Sequence, residues 1–159
     1  PVAADVADLV GRCTRSGNSI EQVREEIAAG KHAGVLVAAR NGPRAPTLYR
    51  GISAMDQETE DLIVGADVGT EIDLAGLSSF TEEATHAEFF GSGGAGTSLL
   101  IVVRDARGLP VKAISNSPGE NEWLLTGHVK VTRVISRIVE DEDGVEITHV
   151  KVEATWLPN

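Results

Sequence analysis

Glu120-Asn121-Glu122 sets two carboxylates two positions apart, immediately before the apolar run Trp123-Leu124-Leu125. Side chains alternate along extended backbone, so both carboxylates point to one face and can address one ligand. The spacing alone is not distinctive, because Glu58-Thr59-Glu60 and Glu140-Asp141-Glu142 share it. Context separates the three. Only the 120/122 pair follows a Ser-Asn-Ser-Pro-Gly loop and leads straight into a strand-like run, whereas the 140/142 pair reads as a solvated hairpin turn. A second signal is the loop 91–96, where Gly91, Gly93 and Gly96 spell the GxGxxG of dinucleotide-binding turns. That fingerprint requires a strand before it and a helix after it, so that pyrophosphate meets a helix N-terminus. Here the order is inverted, and no P-loop lysine follows. The doubly wound reading fails.

The elements that must position these residues fall into two groups. Val6, Leu9 and Val10 recur at helical spacing, and Ser19 with Gln22 forms a capping box for a second helix striped by Ile20, Val23 and Ile27. Residues 34–39 are open between strand and helix, and a helix ending at Asn41-Gly42-Pro43 is favoured. Residues 1–42 are therefore expected to be helical. A short strand follows at 47–52, a helix at 56–63 and another at 82–90, with a buried strand at 99–103. Strands are expected at 111–114, 123–125 and 129–138, and Asp141-Glu142-Asp143-Gly144 turns the chain into a final strand over 145–155. Helices first and strands later, without regular alternation, predict an α+β fold in one domain spanning 1–159, with residues 47–159 as its β-rich core.

Three segments in order carry a resemblance. Leu48-Tyr49-Arg50-Gly51, then Ser79-Phe80-Thr81 with Ala87 and Phe90 downstream, then Glu120-Asn121-Glu122-Trp123-Leu124-Leu125 resemble the Arg-Ser-Glu class of mono-ADP-ribosyltransferases. The likeness spans roughly residues 47–135. Gly108-Leu109-Pro110-Val111 through the glutamates is also similar to ADP-ribosyltransferase domains encoded by actinobacterial phages beside head proteins. The chain departs from the pattern where Phe80-Thr81 stands for Thr-Ser and Trp123 for Val. Ser79, rather than the adjacent Ser78, is the register that brings Ala87 and Phe90 into place.

The resemblance implies two packed, mainly antiparallel sheets and NAD+ as co-substrate, with no metal. It implies that Arg50 clamps the diphosphate or its adjacent ribose with a planar fork that lysine does not reproduce. Glu122 would face the positive charge that develops on the ribose as nicotinamide leaves. Ser79 would hold the ribose or Glu122, and Glu120 would orient an acceptor arginine and take its proton. Gly51, Ser78, Phe80 and Phe90 complete the expected NAD+ contacts. Loop 115–119 would touch the target protein, and loop 91–96 would lie over the nicotinamide end. Plainer roles compete: Arg50 as a strand arginine paired with an acid, Ser79 or Thr81 as cap of the 82–90 helix, and loop 91–96 as a connector. Two further functions stay open, an NAD glycohydrolase of the same fold and a non-catalytic module associated with a phage head.

Composition bounds the rest. Fourteen basic and 24 acidic residues give a formal net charge of -10, which disfavours nucleic-acid binding and mildly favours a basic partner surface. Cys13 is the sole cysteine, and the four histidines lack ligand spacing, so no zinc site is expected. His128 and His149 read as surface or edge residues. No apolar run approaches a membrane span and no signal peptide is evident, so a soluble protein is expected, either delivered, virion-associated or cytoplasmic. The start at Pro1 reads as a processed product or a piece of a longer polypeptide.

Overall fold

The computed structural model describes residues 33–54, 56–74, 78–84, 96–110 and 122–158. The helices expected before residue 33, nearly all of the 82–90 helix and the 111–114 strand lie outside these residues. The described elements run α1 (Ala33–Arg40), β1 (Leu48–Ser53), α2 (Gln57–Val64), β2 (Glu71–Asp73), β3 (Ser78–Thr81), β4 (Ser98–Arg104), β5 (Leu109–Pro110), β6 (Glu122–Leu125), β7 (His128–Glu142) and β8 (Val145–Leu157). Residues 34–39, ambiguous by sequence, are helical. The architecture is α+β with a mainly antiparallel sheet.

The core is built by strand alternation. Leu99, Ile101 and Val103 of β4 face inward beside Val150 and Val152 of β8 and Val129 and Val131 of β7. Each fully buried aliphatic side chain contributes about 1.5–3 kcal/mol from burial. Helix α2 contacts β4 and β8, with Ile63 fully buried in the same cluster. Asp56 starts that helix, its carboxylate accepting from the Thr59 amide at 2.8 Å. Glu58 and Glu60 in the first turn suit the positive end of the helix dipole.

The Thr59 amide lowers the Asp56 pKa from its ordinary value of 3.8. A carboxyl with a depressed folded-state pKa adds stability above its unfolded pKa and loses it as pH falls through the folded value. Asp56→Ala is therefore expected to lower the melting midpoint at pH 7 by on the order of a few degrees. Thermal melts of both proteins should converge once pH drops below the Asp56 titration.

The strands order as β2-β7-β8-β4-β1-β3-β6-β5. Neighbours are antiparallel except β4 and β8, which run parallel from Ser98↔His149 to Arg104↔Thr155. The expectation of two packed sheets is corrected in this respect: among the described residues there is one continuous sheet of eight strands. Its continuity hangs on little. β1 aligns with β4 along its whole length, Leu48↔Val103 to Ser53↔Ser98, but with β3 only at Tyr49↔Thr81. That one ladder step joins a five-stranded part to a three-stranded part.

β7 and β8 form a long hairpin closed by Asp143 (φ 53°) and Gly144 (φ 83°), the left-handed pair of a type I′ turn. β2 covers the outer edge of β7 only at residues 128–130, and backbone bonds from Val131 to Gly69 and Thr70 extend that cover by one residue. Gly127, at the entrance to β7, has φ 95°, and a Cβ there would lie 2.3 Å from the Leu157 carbonyl oxygen. Gly127→Ala should destabilise the fold by at least about 1–3 kcal/mol from backbone strain alone. Urea titration would read this as a lower midpoint, and an unchanged midpoint would contradict it.

Candidate active site

The one-step seam between β1 and β3 is where three of the sequence-selected residues meet. Arg50 lies on β1 in the inward row, between Leu48 and Ile52 and opposite the fully buried Ile101. A charge in such a row is costly unless its donors are met. The guanidinium Nη1 donates across the seam to the Ser79 carbonyl oxygen at 2.8 Å, and its Cζ sits 6.0 Å from the centroid of the Phe80 ring. The Phe80 ring itself is buried (1% exposed), packed in the core rather than lining an open surface.

β3 pairs with β6 in the register Ser78↔Leu125, Ser79↔Leu124, Phe80↔Trp123 and Thr81↔Glu122. Ser78 and Phe80 therefore turn inward with Trp123 and Leu125, while Ser79 and Thr81 share the other face with Glu122. Ser79 is the diagonal neighbour of Glu122, within reach of a glutamate side chain. Its hydroxyl donates to the Glu122 carboxylate at 2.7 Å, a charge-assisted bond that fixes the carboxylate's orientation. Both groups are half-buried. Ser79 thus touches Arg50 through its carbonyl and Glu122 through its hydroxyl.

The other selected residues fall less centrally. Ser78 is buried, and its hydroxyl donates to the Leu74 carbonyl at 2.6 Å, so it secures the loop before β3. Gly51 is half-buried in β1 beside Arg50. Thr81 accepts from the Glu83 amide at 3.0 Å, whereas the Ser79 hydroxyl is taken up by Glu122. Glu120, Phe90 and the loops 91–95 and 115–119 lie outside the described residues. One contact was not anticipated. Trp123 Nε1 donates to Glu82 at 3.0 Å, tying the residue after Glu122 to the end of β3. The signal was present in the Trp123 substitution, since a buried indole N–H requires an acceptor. Among the described residues, no group of three or more His, Cys, Asp or Glu could hold a metal ion, and no helix is long and apolar enough to cross a membrane.

No protein-family model matches the sequence, and no curated protein matches it. Solved structures do. The enzymatic component C2-I of the C2 toxin from Clostridium botulinum superposes with a TM-score of 0.59 at 15% identity, over 94% of this chain and 42% of that one. Vis toxin, an ADP-ribosyltransferase from Vibrio splendidus, gives 0.52 at 18% identity, over 92% and 65%. The chain spans less than two thirds of the length of either, and at these identities what is shared is the fold. The architecture is ADP-ribosyltransferase-like, as found in bacterial toxins.

Proposed function

We propose that the chain is an NAD-dependent mono-ADP-ribosyltransferase of the Arg-Ser-Glu class that modifies a protein acceptor at arginine, with residues 1–159 as one domain. What supports this reading most is the tie through Ser79, which links a guanidinium to a carboxylate across the seam of a sheet with the fold of such enzymes. In the reaction, the bond between ribose C1′ and the nicotinamide nitrogen breaks. Its electron pair leaves with neutral nicotinamide, and positive charge develops on the ribose. Glu122, held by Ser79, supplies the fixed negative charge for that cation without reorganising at the moment of reaction. Arg50 binds the diphosphate oxygens in a planar, permanently charged fork. Phe80 supports the guanidinium from below, and Gly51 beside Arg50 leaves room for the bound dinucleotide, with Phe90 assigned to a further NAD+ contact. An acceptor guanidinium nitrogen then bonds to C1′, and its proton passes to Glu120. No metal takes part in this scheme.

Incubation with NAD labelled in the adenylate part, with and without an arginine-bearing acceptor protein, tests the assignment. Label on acceptor arginines, matched by released nicotinamide, is the expected result. Free ADP-ribose alone would replace the transferase with a glycohydrolase, and intact NAD would leave a non-catalytic module.

A further inference from the structure

The β7–β8 hairpin carries a surface that this chemistry does not use. Beyond Val131, none of the described residues pairs with the outer edge of β7, whose backbone donors and acceptors continue to the turn at Asp143-Gly144. Unpaired strand edges are templates for another strand, and proteins ordinarily blunt them with lysine, proline or bulges. Register shifts interrupt β7 between Val131 and Ser136, but the pairing is regular from Ser136↔Lys151 to Glu142↔Val145. The Arg137 guanidinium donates to the carbonyls of Val64 and Ala66, fixing the inner end of this stretch against α2. Past that anchor, Ile138 and Val139 (both 53% exposed) and Val145 (62%) present aliphatic surface to solvent. Around them, residues 138–148 contain Glu140, Asp141, Glu142, Asp143 and Glu146 and no lysine or arginine.

We propose that this edge is a docking surface for an extended, basic segment of a partner protein, which joins the sheet as a further strand beside β7. Charge complementarity selects the occupant. A second copy of this chain, paired edge to edge, would set one acidic row against another, and like charges directly opposite are destabilising. A segment alternating lysine or arginine with aliphatic residues meets all three features at once. Its backbone pairs with this edge, its aliphatics cover Val139 on one face, and its cations meet Glu140 on the other. The surface is independent of the transfer chemistry, so the Glu122→Gln variant should bind the same partner unchanged.

The test uses the full chain and a synthetic peptide of about eight residues, a typical strand length, alternating lysine and valine. Residue-resolved amide exchange should show new protection within 136–142, and anisotropy titrations should weaken as salt rises. Glu140→Gln should weaken binding about threefold, one cross-strand charge pair being lost. A peptide N-methylated at alternate positions keeps the charge but loses the backbone donors, and it should not protect the edge. The proposal is overturned if the methylated peptide or one with glutamate for lysine binds equally well, if protection falls elsewhere, or if Glu140→Gln binds as tightly. Concentration-dependent protection of 136–142 without peptide would overturn it too, assigning the edge to self-association.

Discussion

Glu122→Gln is expected to slow nicotinamide release from NAD by about 100- to 1000-fold, the usual cost of removing one preorganised electrostatic group from a transition state. Glutamine has nearly the same shape and still accepts the Ser79 hydroxyl, which here reaches the carboxylate at 2.7 Å. What it lacks is the charge. The β3–β6 register and the packing of Trp123 and Leu125 do not depend on that charge, so the melting midpoint should move little. Initial rates at saturating NAD, beside a thermal melt, separate chemistry from folding. A variant within threefold of the parent would remove Glu122 from the reaction. Ser79→Ala leaves the carboxylate in place but frees its rotamer, so it should lose roughly 10- to 100-fold, the worth of one hydrogen bond to a charged group.

Phe80→Ala is expected to cost about 3–5 kcal/mol of stability, as for other large-to-small changes at buried aromatics. Phe80 is among the largest fully buried side chains, it stands opposite Trp123, and it lies within the β3 segment that reaches β1 at only one step. Deleting the ring leaves a void in the three-stranded part and removes the surface beneath the Arg50 guanidinium. Phe80→Leu preserves most of the volume and should cost under about 1.5 kcal/mol. Denaturant titration checks both values. In the folded fraction, the alanine variant should also show a raised KM for NAD with less change in kcat, because the displaced group is the one assigned to binding. A loss below about 1 kcal/mol would mean that neighbouring side chains close the gap.

Local signals in the sequence found most elements. The helix expected over 56–63 is α2, with Asp56 as its cap, and Asp143-Gly144 between alternating strands marked the hairpin. The unbroken apolar run over residues 99–103 announced β4. What escaped notice depends on distant partners. The expected strand over 129–138 is longer, reaching Glu142, because β8 pairs with it along its length despite polar residues that read as turn. The single sheet was invisible because its continuity rests on one step between residues 32 positions apart (81 − 49). For the site, residue types pointed to Arg50, Ser79 and Glu122, but the bond from Arg50 ends on a backbone carbonyl, which leaves no trace in side-chain identity. The Glu82–Trp123 tie was legible only as an indole needing an acceptor.

The sparse join between β1 and β3 gives Arg50 a second duty. With Tyr49↔Thr81 the sole ladder step, the guanidinium's hold on the Ser79 carbonyl acts as an additional stitch between the two portions of the sheet. Any anion that draws the guanidinium away loosens this suture, and any fluctuation that parts the portions moves the cation away from the carboxylate. Grip on a ligand and cohesion of the sheet are thus mechanically linked through one side chain.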